Sequence, residues 1–186
     1  MCIRDRFIIE STLLEGTSPD ISGLIGQYAH GNEPGHHIPY LYAFVGQQWK
    51  TAEKVRQIMN NFYTDKPDGL CGNEDCGQMS AWYIFSALGF YPVNPANGAY
   101  VFGSPLFDQA ELSLPGGKSF KIIVKNNGEN NIYIQSIKLN GKTYSKAYIT
   151  HKDIMRGGRL EIVMGPEPGR TFAVDKNDFP TSGLYY

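Results

Sequence analysis

Residues 70–92 read LCGNEDCGQMSAWYIFSALGFYP, and they set adjacent carboxylates, Glu74 and Asp75, between two cysteines and in front of a run with almost no polar side chain. Met79, Ala81, Trp82, Tyr83, Ile84, Phe85, Ala87 and Leu88 leave a helix no solvent face. The segment therefore predicts a buried helix inside a larger helical assembly, its acidic start lining a cavity or a core. Locally, Asp75 followed by Gln78 matches a capping box, in which the aspartate accepts from first-turn amides and the glutamine reaches back. On that pattern Asp75 is a cap and Glu74 a solvated loop charge.

Upstream of this helix the periodicity stays helical. Ala52, Val55, Ile58, Met59 and Phe62 recur at three- and four-residue spacing behind Thr51 as expected N-cap, with Glu53 in the first turn. An earlier helix is expected over Ile38 to Val45, ended by Gly46. Downstream the character changes near Val93. The segment NPANGAY is a breaker cluster, and the runs AELSL, FKIIV, NIYIQSIKL, KTYS and LEIVM are separated by PGGK, NNGEN, NGK and RGGR. This pattern predicts an antiparallel β-sandwich with Asn140-Gly141 as a hairpin turn. Its expected core is Ile122, Val124, Ile132, Ile134, Ile137, Leu139, Leu160 and Ile162. The expected organisation is a leader over residues 1–10, a helical segment over 11–93 and a strand segment over 94–186.

Composition narrows the function classes. Lys plus Arg number 17 against 18 Asp plus Glu, a net charge of −1, which argues against a nucleic-acid groove or an anionic membrane surface. No run reaches the roughly 20 apolar residues of a membrane span. The start MCIRDR has no signal-peptide pattern and reads as a foreign leader. The aromatic share of 13% suits strands and sugar-stacking surfaces alike. Cys71 and Cys76 form a C-x₄-C pair without a second ligand pair, which argues against zinc and leaves two thiols or one local disulfide.

A second polar cluster, GNEPGHHIPYLY over residues 31–42, gathers Asn32, Glu33, His36 and His37 around Pro34 and Gly35. Carboxylate and amide oxygens suit a hard cation such as Ca²⁺ better than zinc. On that reading Asn32 and Glu33 are metal-site candidates, and His36 and His37 contact sugar or water. Taken alone the cluster is a weak signal, since such a turn also serves as an ordinary helix entry.

In this order, GNEP-x-HH, GNEDCGQMSAW, YVFGSPLFDQAELSL and ITHKDIMRGGRLEIVMG resemble the C-terminal part of family 92 glycoside hydrolases, calcium-dependent exo-acting α-mannosidases. The resemblance runs from about Pro19 to the neighbourhood of Pro168. It implies the C-terminal part of an (α/α)6 toroid packed on β-sandwich structure. It also implies inverting hydrolysis of terminal α-mannosidic bonds, α-1,2 linkages among them, in mannose-containing glycans such as N-glycans, and a periplasmic or secreted parent. By the same comparison Asp75 matches the general base with Glu74 beside it, Glu33 the calcium-site acid with Asn32 as neighbour, and His36, His37 and Trp82 lining positions. Gly35 stands where family members commonly carry Ser. Nothing before Glu33 resembles the segment that bears the family's general acid, and Glu10 and Glu15 stand in the wrong context. The chain thus reads as a truncated frame without turnover of its own. The competing reading is a non-catalytic carbohydrate-binding β-sandwich over residues 97–175. Against it, the charged clusters fall in the helical half, and no aromatic platform marks the strand face.

Overall fold

The computed structural model describes residues 22–169 and 171–183. The leader, Glu10 and Glu15 lie outside the described residues, as does the start of the 11–93 segment. Two short strands, β1 (Leu24–Ile25) and β2 (Tyr28–Ala29), pair antiparallel and lead into a 3₁₀ turn over Glu33–Gly35. A longer segment, Ile38–Val45, has the predicted range and ends at Gly46, whose φ of 74° is left-handed, but it winds as a 3₁₀ helix. Pro39 sits in its first turn, where a backbone amide has no partner within the helix and proline costs no hydrogen bond.

Helix α1 (Gln48–Phe62) starts earlier than the capping pattern suggested. Thr51 is not its N-cap. It lies inside the helix, fully buried, with its hydroxyl donating to the Tyr40 carbonyl. The start is fixed from a distance instead, because the Gln48 amide donates to the carbonyls of Phe102 and Gly103 at 3.2 and 3.0 Å. The apolar stripe itself is as read: Ala52, Val55, Ile58 and Met59 are buried.

Helix α2 (Gln78–Leu88) stops at Gly89, φ 103°. It buries Met79, Trp82, Ser86 and Ala87, whereas Ile84 is 56% exposed. The expectation of burial on every side is corrected accordingly: the neighbouring elements of the described residues cover one side of this apolar helix. Its N-cap is Gly77, with no side-chain cap, so the capping box through Asp75 is absent.

Strands β3 (Phe90–Tyr91), β4 (Ala99–Phe102) and β9 (Tyr148–Thr150) form one sheet. The other runs β5 (Gln109–Leu114), β6 (Lys118–Lys125), β10 (Gly158–Gly165), β7 (Tyr133–Leu139) and β8 (Lys142–Tyr144), in that spatial order. Asn140 and Gly141, with φ of 51° and 80°, make the expected two-residue turn between Leu139 and Lys142. One feature departs from the all-antiparallel expectation: β10 pairs parallel with β6 and antiparallel with β7. A parallel pair needs a long connection, and the chain supplies one by building β7, β8, β9 and the short helix α3 (His151–Met155) before β10 inserts between its two partners.

Alternation along β6 buries Phe120, Ile122 and Val124, which meet Ile134, Ile137, Leu160 and Ile162. Ile132 and Leu139, expected in that core, are only half-buried. The apolar cluster continues without a break into the helical half through Phe102, Val55, Trp82 and Tyr28. The two sequence clusters that carry charge therefore rest on one shared core.

Candidate active site

Two loops form the site, and glycine lets them touch. Gly31 follows the β1–β2 hairpin, and a Cβ there would collide with the Ser22 hydroxyl oxygen. A Cβ on Gly72 would lie 2.9 Å from the Gly31 Cα, so the backbones of the two loops pass too closely for any larger residue. The first loop carries Asn32, Glu33, His36 and His37, and the second carries Cys71, Glu74, Asp75 and Cys76.

In the first loop the turn closes with the Gly35 and His36 amides donating to the Asn32 and Glu33 carbonyls at 2.9 and 3.0 Å. Asn32 is exposed and Glu33 half-buried. Glu33 Oε1 is buried without a hydrogen-bond partner among the described residues, an arrangement that desolvates a polar atom at a cost unless something else satisfies it. Its charge reaches the second loop, where burial pushes the Cys71 thiol up and Glu33 adds to the rise. Both cysteines are free thiols.

The histidines divide. His37 Nδ1 lies 3.0 Å from the Pro34 carbonyl, to which it donates. His36 is buried, and its Nε2 donates to the His30 carbonyl at 2.9 Å while Nδ1 accepts from the Gln78 amide at 3.1 Å. Burial holds His36 below the usual imidazole range, against the opposing pull of its carbonyl bond and of Glu33. Trp82, fully buried, donates from Nε1 to the His36 carbonyl at 3.0 Å. Both side chains are buried beneath the loop, whose backbone they hold.

In the second loop, Asp75, Cys76 and Gly77 take successive φ of 43°, 59° and 89°. Left-handed backbone at two non-glycine residues in a row is strained, and it turns the two carboxylates to different tasks. Glu74 folds forward onto α2: Oε1 accepts from the Ser80 amide at 2.8 Å and Oε2 from the Ser80 hydroxyl at 2.6 Å. These two bonds lower its pKa. Asp75 is exposed, and among the described residues no hydrogen bond or ion pair engages its carboxylate. The capping work assigned to Asp75 by pattern is done by Glu74. Behind Ser80 lies a cavity of about 460 Å³ lined by Tyr63, Thr64, Asp65, Leu70, Ser80, Tyr83 and Ile84.

Residue-type patterns miss His30, which is fully buried. The Tyr28 hydroxyl donates to its Nδ1 at 2.8 Å, and its Nε2 donates to the Tyr63 hydroxyl at 2.7 Å, which in turn donates to the Met79 carbonyl. Its only sequence signal is its position next to Gly31. Burial, reinforced by His36, pushes His30 down to about 3. Unfolding restores the ordinary value of 6.5, so between these two values the unfolded chain binds a proton that the folded chain refuses. Stability is complete above pH 6.5 and is lost as pH falls through this window, by up to about 1.4 kcal/mol per pH unit from this group. Urea unfolding at neutral and mildly acidic pH should show the drop, and His30→Phe should reduce the slope. An unchanged slope in the variant assigns the effect to another group.

Among the described residues no group of three or more His, Cys, Asp or Glu side chains could hold a metal ion. The donor type nevertheless fits a hard cation, because Glu33 offers a buried, unpartnered carboxylate oxygen. Asn32, adjacent in the chain and exposed, is a second oxygen donor of the same kind.

Comparison with known proteins identifies the family to which these loops belong. The description "Glycosyl hydrolase family 92 catalytic domain" matches residues 5–166; the chain belongs to this family. An "uncharacterized secreted glycosidase" of Arthroderma benhamiae is 31% identical over 155 residues, covering 82% of this chain and 20% of that protein. A family GH92 α-mannosidase from Bacteroides thetaiotaomicron, solved in complex with mannoimidazole, superposes with a TM-score of 0.91 at 40% identity, over 96% of this chain and 24% of that one. A GH92 inverting mannosidase of the same organism gives a TM-score of 0.79 at 44% identity, over 84% of this chain and 21% of its own. The chain thus spans about a quarter or less of the length of these relatives. Among the described residues no helix is long and apolar enough to cross a membrane.

Proposed function

We propose that this chain contributes the water-activating and cation-binding part of an α-mannosidase site, acting with inversion on terminal α-mannosidic bonds, α-1,2 linkages among them, in mannose-containing glycans. The observation that carries the reading is the Gly31–Gly72 contact, which packs the loop bearing the unpartnered Glu33 oxygen against the loop bearing the free Asp75 carboxylate. Asp75 accepts the proton of a water as that water attacks the anomeric carbon from the face opposite the leaving group. In such enzymes acid and base stand roughly 6.5–9.5 Å apart to make room for the water. Glu74, bonded to Ser80, holds the loop that presents Asp75.

Glu33, with Asn32 beside it, is assigned to Ca²⁺. A bound Ca²⁺ supplies charge stabilisation and a template for adjacent sugar hydroxyls. The general acid, the remaining ligands and the rest of a helical toroid with its β-sandwich are assigned to other parts of a full-length protein, which the coverage of the relatives supports. A periplasmic or secreted location is supported by the description of the fungal relative as secreted. The alternative of a separate carbohydrate-binding module loses support, because the catalytic-domain match continues through the strand half to residue 166.

The test is hydrolysis of an α-1,2-linked mannobiose by the full-length protein, followed by proton NMR. The β-anomer of mannose should form first and then mutarotate, and a calcium chelator should abolish turnover until calcium is restored. Initial release of the α-anomer contradicts inversion, and full activity in chelator contradicts the cation assignment.

A further inference from the structure

The loop that carries Glu33 is closed at its base in an unusual way. Its two ends, His30 and His36, stack with ring centroids 4.5 Å apart and an interplanar angle of 19°, while His36 Nε2 donates to the His30 carbonyl. All four imidazole nitrogens are consumed: His30 by the Tyr28 and Tyr63 hydroxyls, His36 by the His30 carbonyl and the Gln78 amide. The edge of Trp82 meets His30 at 4.4 Å, and its indole N–H holds the His36 carbonyl. No imidazole nitrogen of the pair, nor the indole N–H, is left for a ligand. What they do hold is the five-residue span between them, with the one unpartnered Glu33 oxygen inside it.

We propose that the stacked His30–His36 pair is a staple that fixes the Glu33 carboxylate against the acidic loop before any ligand arrives, making His30 and His36 positioning residues for cation binding. The proposal rests on the assignment of Glu33 to a cation. Its physical content is preorganisation: a carboxylate already held in place binds more tightly than one that must be ordered on binding. Tyr63 extends the staple to α2, since its hydroxyl joins His30 to the Met79 carbonyl in the first turn of that helix. The same ring system therefore sets both loops.

The experiment uses the full-length protein and calcium alone as the probe, read by calorimetry. His30→Ala, which removes the stack and both tyrosine bonds, should weaken calcium binding by about tenfold or more, as loss of a group that orients a ligand does. His30→Phe, which keeps a flat ring against His36, should recover most of that affinity, whereas His30→Leu, which fills space without a ring to stack, should not. Hydrogen exchange of the unmodified protein without calcium guards against variants that fail to fold. The Gly35 and His36 amides, bonded within the turn, should be protected in that metal-free state. Unprotected amides there, or a folded His30→Ala protein with the calcium affinity of the parent, would overturn the staple. Glu33→Gln is the separate control: if it leaves calcium affinity unchanged, the assignment of Glu33 fails, whatever the histidine variants do.

Discussion

Replacing Asp75 by Asn in the full-length protein should lower turnover by about 10²–10⁴, the usual contribution of a general base, while the melting temperature stays near that of the parent. The structure makes this substitution cleaner than the sequence suggested. Among the described residues Asp75 caps no helix and bonds no side chain, so an amide there costs no hydrogen bond. Its φ of 43° lies in the left-handed region that Asn tolerates as well as any residue with a side chain. A fall in rate is then chemical in origin, because an amide cannot take the proton of the attacking water. Glu74→Gln should rank the other way. It replaces a carboxylate that accepts two bonds from Ser80, so it should loosen the start of α2 and lower the melting temperature more than Asp75→Asn does, with a smaller effect on rate. If Glu74→Gln removes more turnover and leaves stability intact, the two carboxylates have exchanged roles.

The second large effect concerns Trp82. Truncation to Ala should cost about 3–5 kcal/mol, the range for a large buried aromatic, enough to unfold much of the protein under mild denaturant. Tyr63 stacks on Trp82 at 6.0 Å and 7°, and Tyr40 and His30 meet it edge-on, so the cavity would open at the junction of both loops. Trp82→Phe keeps most of the volume and leaves the His36 carbonyl without its donor, a loss of about 1–3 kcal/mol. Because Trp82 is fully buried, Trp82→Phe should lower stability and leave KM for a mannoside near that of the parent. A raised KM at unchanged stability would return Trp82 to the ligand surface.

What could be read from the sequence were the features set by neighbours along the chain. The alternation of Phe120, Ile122 and Val124, the Asn140-Gly141 turn and the stripe on α1 all follow from local periodicity and φ preference. The features set by distant partners could not. Gln48 starts α1 because it finds carbonyls more than fifty residues away, and Thr51 looked like the cap because nothing local revealed that anchor. The pattern Asp75-x-x-Gln78 imitates a capping box, yet successive positive φ values turn Asp75 outward and send Gln78 to His36 and Tyr91. Glu33 was a candidate by donor type, whereas Glu74 and Asp75 became candidates only through the family resemblance, their local pattern reading as a cap and a loop charge. The division of labour between Glu74 and Asp75 required the position of Ser80, and the place of His30 required Tyr63, thirty-three residues on. The exposed Ile84 belongs to the same class, since only the three-dimensional neighbours of α2 decide which of its apolar sides is covered.

The position of β10 has a consequence for how the chain is made. It is the central strand of its sheet and the last one synthesised, so until residue 165 has left the ribosome the sheet consists of two separate ribbons, β5 with β6 and β7 with β8. A lone two-stranded ribbon is marginal in water, and β6 and β7 each offer an open edge to any other nascent chain. Closing the gap requires pairing across more than thirty residues to β6, a slow step of high contact order. The strand-rich half therefore acquires its order after the helices that precede it in the sequence. During that interval a chaperone, or a low expression temperature, should determine yield more than any substitution at the site.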